Sequence, residues 1–145
     1  MYSIGIASGD DLPRLFDIWE ASVQATHDFL HPDDFLLLAP IVERTLREFT
    51  PLHCVRDESG QPCAFMGVSE GMIEMLFVDP LHRGQGAGRA LVEFAIAQLG
   101  ATQVDVNEQN GQALGFYERM GFAVTRRSGQ DPFGKPYPIL HLALR

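Results

Sequence analysis

The residues most able to do chemistry lie past the middle of the chain, in Arg83-Gly84-Gln85-Gly86-Ala87-Gly88-Arg89. Three glycines at alternate positions leave no Cβ where a backbone must bend tightly and approach a ligand. The apolar, extended stretch 71–78 precedes them, and a helical pattern (Val92, Ala95, Ile96, Leu99) follows. Free N–H groups at the start of such a helix, aided by its dipole, favour an anion, most often a phosphate. Arg83 and Arg89 bracket the loop and add charge-assisted hydrogen bonds. The stretch reads as a diphosphate cradle.

Several occupants compete. A nucleotide P-loop needs a Gly-Lys-Ser/Thr ending, and Gly88-Arg89-Ala90 lacks both the lysine and the hydroxyl. A dinucleotide loop needs G-x-G-x-x-G beside the first strand, with an acidic residue further on. Here the spacing is G-x-G-x-G and the loop comes late. The diphosphate of coenzyme A and a plain glycine-rich connection stay open.

Other side chains invite a chemical reading. Ala113, Phe116, Tyr117 and Met120 share one helical face, so Tyr117 points inward and its hydroxyl needs a polar partner. A core tyrosine satisfied by the backbone fits the same spacing. Asn110 is placed to cap that helix, and Asn107 ends the strand before it. Glu74 shares a strand face with Leu76 and Val78, on either side of Phe77. A carboxylate in so apolar a strand is expected to hold its proton more tightly, which suits a base; a solvent-facing residue is the plain alternative. His27, Asp28 and His31 cluster where the first helical pattern breaks. They suit proton transfer, acceptor binding or simple loop capping. A metal reading lacks a further spaced ligand, and none is expected.

The chain resembles a family at two places. Arg83 to Gly88 resembles the acetyl-coenzyme A loop of the GNAT N-acetyltransferases, Arg/Gln-x-x-Gly-x-Gly/Ala. Asn110, Ala113, Tyr117, Gly121 and Phe122 fit the family's N-x-x-A-x-x-x-Y-x-x-x-G-F signature. Residues 22–30, 106–110 and 134–138 are similar to one bacterial branch of it. The resemblance implies an acetyl-coenzyme A-dependent acetyltransferase without a metal. It implies that the loop from Arg83 through Gly84, Gln85, Gly86, Ala87 and Gly88 to Arg89 holds the diphosphate. The backbone of Leu76, Phe77 and Val78 and the residues Asn107, Asn110, Ala113 and Phe116 would line the pantetheine arm. Tyr117 would protonate the departing thiol. Glu74 stands where histone-type members carry a glutamate, and His27 or Asp28 would meet the acceptor amine. Tyr137, in the proline-stiffened segment 134–138, would close the same pocket.

Size and charge bound the rest. The 145 residues, 46% hydrophobic and 21% charged, suit one domain with a full core, here expected to span 1–145. A net charge of −8 disfavours nucleic acid and anionic membranes as partners and accommodates a cationic amine. There is no apolar run of membrane length and no signal-like start, so a cytoplasmic protein is expected. A homodimer is left open. The alternatives of another class are a catalytically idle coenzyme A-binding module and a kinase-like nucleotide binder.

The elements that must position these groups follow from periodicity. Strands are expected at 2–7, 52–57, 61–69, 71–78, 101–107, 123–127 and 139–144. Helices are expected from the Asp10-Asp11 cap to about Val23, over 33–49 with a break at Pro40, over 89–99 and over 109–120. A two-residue turn inside 57–60 would set Cys54 opposite Cys63, both read as buried thiols. The order gives an α/β (α+β) domain, a mixed sheet of six to seven strands with helices on both faces.

Overall fold

The structure, a computed structural model, describes residues 3–26 and 30–145. Tyr2, His27 and Asp28 lie outside the described residues. Among the described residues there are seven strands and four α-helices, and the sheet order is β1-β2-β3-β4-β5-β7-β6. The elements are β1 (Ile4–Ile6), α1 (Leu12–Thr26), α2 (Pro32–Glu48), β2 (Leu52–Arg56), β3 (Pro62–Ser69), β4 (Met72–Val78), α3 (Ala87–Leu99), β5 (Gln103–Asn107), α4 (Gly111–Arg119), β6 (Phe122–Ser128) and β7 (Ile139–Leu144). β4 and β5 run parallel and the crossover between them contains α3; β1–β2, β2–β3, β5–β7 and β6–β7 are antiparallel. The sheet is therefore mixed, as the strand–helix order implies. No described helix is long and apolar enough to cross a membrane.

Two compact units divide the chain, and the first comprises residues 1–67 and 75–94. Alternation along β2 explains its layering. Leu52 and Cys54 join Leu15, Ile18, Trp19 and Val23 of α1, Leu46 of α2 and Phe65 in one buried cluster. His53 points the other way, its ring 5.1 Å from that of Phe94 on α3. Helices thus cover both faces of this part of the sheet. Trp19 stacks on Phe35 of α2 at 5.4 Å, which fixes α1 against α2.

Three local expectations are corrected here. The N-cap is Ser8 rather than Asp10-Asp11, although both aspartates lie in the first turn and Asp11 completes the cap. The Ser8 N–H donates to Asp11 Oδ2 at 2.8 Å and the Asp11 N–H donates back to the Ser8 carbonyl at 3.0 Å, closing a box around a 3-10 turn. Pro40 does not break α2, which runs through it; the proline is exposed, so water can serve the carbonyl that loses its donor. The β2–β3 register puts Cys54 opposite Phe65, not Cys63, with an irregularity between Val55 and Arg56. The cause is a wider turn. The Asp57 N–H reaches the Gln61 carbonyl at 2.8 Å, and Asp57 Oδ1 accepts from the N–H groups of Ser59 and Gln61.

The second unit comprises residues 68–74 and 95–145. Glu70 (φ 52°) and Gly71 (φ 79°) form the tight turn into β4, and the Gly71 carbonyl accepts from Thr102 and Gln103. Across β5, β7 and β6 the register aligns Val104 with Leu142 and Val124, and Val106 with Leu140. Val104, Val106, Leu140 and Leu142 are buried on one apolar face and Tyr117 of α4 packs on Phe122, while Val124 stays exposed. The opposite face carries Asp105 beside His141.

Candidate active site

The loop begins from an anchored corner. Asp79 accepts from the Leu81 N–H at 3.0 Å and from Arg14 Nη2 at 2.6 Å, and its own N–H donates to the Cys63 carbonyl at 2.8 Å. Burial works against its charge, but the Arg14 hydrogen bond and the other donors prevail and hold its carboxyl below the usual range. Beyond the Pro80–His82 turn, Gly84 (φ 74°) and Gly86 (φ 90°) take left-handed backbone that side chains resist. A Cβ on Gly84 would meet nothing within 4 Å, so backbone conformation alone demands glycine there. The Ala90 N–H donates to the Gly86 carbonyl at 3.0 Å, which makes Gly86 the entry to α3. The amides of Ala87, Gly88 and Arg89 then have no acceptor within the helix. Gly84, Gln85 and Gly86 are exposed, so the loop ahead of these amides is open to solvent. Arg83 is exposed; Arg89 Nε pairs with Glu93 one turn along at 2.7 Å, so only part of the expected bracketing charge is held at the loop.

In the strand before the loop, Phe77 lies 5.7 Å from the Phe65 ring and joins the α1–α2 cluster, and alternation turns Leu76 and Val78 to the other side. Cys54 and Cys63 are fully buried in the same unit, and burial pushes both thiols up, which withdraws them as nucleophiles. A separate cavity of about 440 Å³ lies between α1 and α2, lined by Leu12, Phe16, Asp17, Glu43, Leu46 and Arg47.

In the second unit, the parallel ladder ends at Ile73↔Val104. Beyond Val104 that edge of β5 carries no ladder among the described residues, although its other edge stays paired to β7 as far as Asn107. Asn107 Oδ1 accepts from the Gln109 N–H at 3.4 Å, and Asn110 caps α4 by accepting from the Ala113 N–H at 3.2 Å. Ala113 and Phe116 are half-buried and Tyr117 is buried. The Tyr117 phenol is pushed up by burial, so at ordinary pH it can give a proton but not take one. Its hydroxyl bonds to none of the described residues, where the spacing argument expected a partner.

The polar face of the same unit sets Glu74 beside residues that the sequence alone did not single out. Glu74, Asp105, Ser128, Asp131 and His141 line a cavity of about 380 Å³. His141 Nδ1 lies 2.7 Å from Asp105 Oδ1, and His141 Nε2 lies 2.7 Å from Ser128 Oγ. Glu74 is exposed, yet its carboxyl is pushed up, first by partial desolvation and then by the negative charges of Asp105 and Glu70. Ser128 reaches this face because β6 carries one extra residue. Val124 pairs with Leu142 but Arg126 pairs with His141, so Thr125 shifts the alternation and Ser128 emerges beside the histidine. The signal for Asp105 and His141 was present as lone polar residues inside Val104-Asp105-Val106 and Leu140-His141-Leu142. Their pairing was not, because β5 and β7 are not consecutive strands.

His27 and Asp28 fall outside the described residues, so the structure brings neither to a site. His31 caps α2, its Nδ1 accepting from the Asp33 N–H at 3.1 Å. Tyr137 is buried in the 129–138 connection. Among the described residues no group of three His, Cys, Asp or Glu side chains is placed to hold a metal ion.

Comparison with known proteins gives a consistent result. Residues 50–124 match the family model described as the acetyltransferase (GNAT) domain. The chain is 47% identical over 130 residues to the peptidyl-lysine N-acetyltransferase YjaB of Escherichia coli K12, covering 90% of this chain and 88% of that protein. To the protein of that name in Salmonella typhimurium LT2 it is 42% identical over 142 residues, covering 98% and 97%. The solution structure of apo-form YjaB from Escherichia coli superposes with a TM-score of 0.92 at 44% identity, covering 99% of this chain and 97% of that one.

Proposed function

This chain belongs to the GNAT acetyltransferase family, and on that footing we propose that it transfers the acetyl group of acetyl-coenzyme A directly to the side-chain amine of a lysine in a protein, working as one domain over 1–145. The observation that carries the reading is the loop of left-handed glycines running into α3. Its open amides fit a diphosphate and little else of comparable size and charge.

The roles follow from the chemistry. Arg83 to Arg89 hold the diphosphate. The backbone of Leu76, Phe77 and Val78 bonds the pantetheine amides, and the unladdered edge of β5 near Asn107 supplies further main-chain partners. Asn110, Ala113 and Phe116 flank the same arm. Holding thioester and amine in line supplies most of the rate. Glu74 hydrogen-bonds the incoming ammonium, and the negative cavity it borders favours a cation. The neutral nitrogen attacks the acetyl carbonyl, the C–N bond forms and the C–S bond breaks; Tyr117 gives its proton to the thiolate, and the proton shed by the acetylated nitrogen returns through water to the Tyr117 oxygen. His27 and Asp28 meet the acceptor from the α1–α2 connection.

Calorimetry with acetyl-coenzyme A and mass spectrometry of lysine peptides after incubation test this together. Binding and a lysine-localised acetyl group are expected. Binding without acetylation of any amine would instead identify a coenzyme A-binding module.

A further inference from the structure

The Ser128–His141–Asp105 chain is more than a surface cluster, because its hydrogen bonds fix the direction in which a proton can move. An ionised carboxylate only accepts, so the 2.7 Å contact from Asp105 requires the hydrogen of His141 on Nδ1. The other ring nitrogen of a neutral imidazole then accepts. At 2.7 Å the Ser128 hydroxyl must donate to Nε2. That leaves the lone pairs of Ser128 Oγ for a donor in the cavity of about 380 Å³ that both residues line. The chain is not sealed away as a purely architectural one would be: the Asp105 side chain is 40% exposed and that of His141 17%.

We propose that Ser128 and His141, oriented by Asp105, form the relay that removes the proton from the acceptor amine. This rests on the amine acetylation proposed above and adds the destination of the proton. The ammonium donates to Ser128 Oγ. As its proton passes to that oxygen, the serine proton passes to His141 Nε2. The amine becomes neutral, the serine is regenerated and the ring becomes an imidazolium held against Asp105. One proton leaves the nitrogen and one arrives on the ring; water takes it after acetyl transfer. Glu74 anchors the cation, and His141, hydrogen-bonded to the Ser128 hydroxyl, is the group placed to take the proton. The charged groups facing the ring are Asp105 from β5, Glu74 from β4, Asp131 from the 129–138 connection and Arg126, its register partner on β6. Ser128 is the catalytic contact, His141 the proton acceptor and Asp105 a positioning residue.

The test compares the full-length parent with His141→Gln, Ser128→Ala, Ser128→Thr and Asp105→Asn, using acetyl-coenzyme A and a lysine peptide. His141→Gln and Ser128→Ala are expected to lose about 10²-fold in kcat/KM for the peptide at neutral pH. The loss should shrink as alkaline pH deprotonates the amine in solution, while acetyl-coenzyme A affinity stays at the parent value. Ser128→Thr, which keeps the hydroxyl, should restore most of the rate. Asp105→Asn should displace the pH profile. Nitrogen-15 NMR of the parent imidazole should find the hydrogen on Nδ1. A parent that acetylates lysine alongside His141→Gln and Ser128→Ala variants with its unchanged pH profile would remove the relay and leave the proposed function standing. An Nε2-protonated ring, or an acetyl group trapped on Ser128, would also overturn it. A parent that binds acetyl-coenzyme A yet acetylates nothing would remove both.

Discussion

The ring of Tyr117 stands edge-on to that of Phe122, with centroids 5.8 Å apart and planes at 82°. Phe116 meets it from the other side at 5.0 Å and 70°. These contacts hold the last turn of α4 on the first residue of β6 and surround a phenol with apolar carbon. Tyr117→Phe keeps the packing and deletes only the proton. It should leave the melting temperature within a degree or so of the parent and lower kcat about 10²-fold with acetyl-coenzyme A affinity retained. Steady-state kinetics beside calorimetry decide this; equal turnover would remove Tyr117 as the acid.

The same burial makes a pH prediction. The folded state holds the Tyr117 proton more tightly than the unfolded chain, in which a tyrosine releases it near pH 10. Between that pH and the higher folded value the unfolded state binds fewer protons, so stability must fall as pH rises. Urea unfolding on the alkaline side should show this decline in the parent and a shallower one in Tyr117→Phe.

Gly84→Ala isolates backbone conformation from space. The new methyl meets nothing, so the cost is that of a left-handed alanine, about 1 kcal/mol. Acetyl-coenzyme A affinity should fall about tenfold, because relief of that strain reorients the loop amides. Gly67→Ala is the contrast. Its Cβ would lie 2.8 Å from the Phe49 ring and 2.9 Å from Met75 Cε, so it should destabilise the fold by crowding. Thermal melts and calorimetry separate the two.

Asp79→Asn tests the corner that starts the loop. Asp79 is buried, and losing its ion pair with Arg14 should cost about 2 kcal/mol at neutral pH. Its folded carboxyl lies below the unfolded value, so this stability is present above about pH 4 and drains away as acid protonates it. The difference between parent and Asp79→Asn in urea should therefore narrow steadily on acidification. A constant gap would mean that the ion pair contributes nothing.

The two thiols should behave as core atoms. Cys54 faces Phe65 across the hairpin, and both cysteines have no exposed surface. A thiol reagent should label neither in the native protein and both in denaturant, and mild oxidation should produce no intramolecular disulfide by mass.

The positions of the strands and helices were legible because their signals are local. Periodicity gave α3 and β7 almost to the residue, and Asn110 sits where its side chain caps α4. The glycine loop was legible because only glycine accepts the φ values of positions 84 and 86. The hairpin register was not, because the multiple hydrogen bonds of Asp57 build a wider turn than its four residues suggest. Pro40 misled because its penalty is small where water reaches the helix. The Ser128–His141–Asp105 chain was out of reach for another reason. It joins strands 13 and 36 residues apart in sequence, in a register that only the folded sheet defines.

Thr125 is the extra residue of β6. A strand with one residue too many works as a phase shifter, exchanging inside for outside along everything downstream of it. Were every residue of β6 paired one for one, Ser128 would fall on the Val124 side and lose the histidine without any change in the three side chains. A lineage could therefore switch this chemistry on or off by strand pairing alone, and a search for it that tracks only residue identities would miss the event.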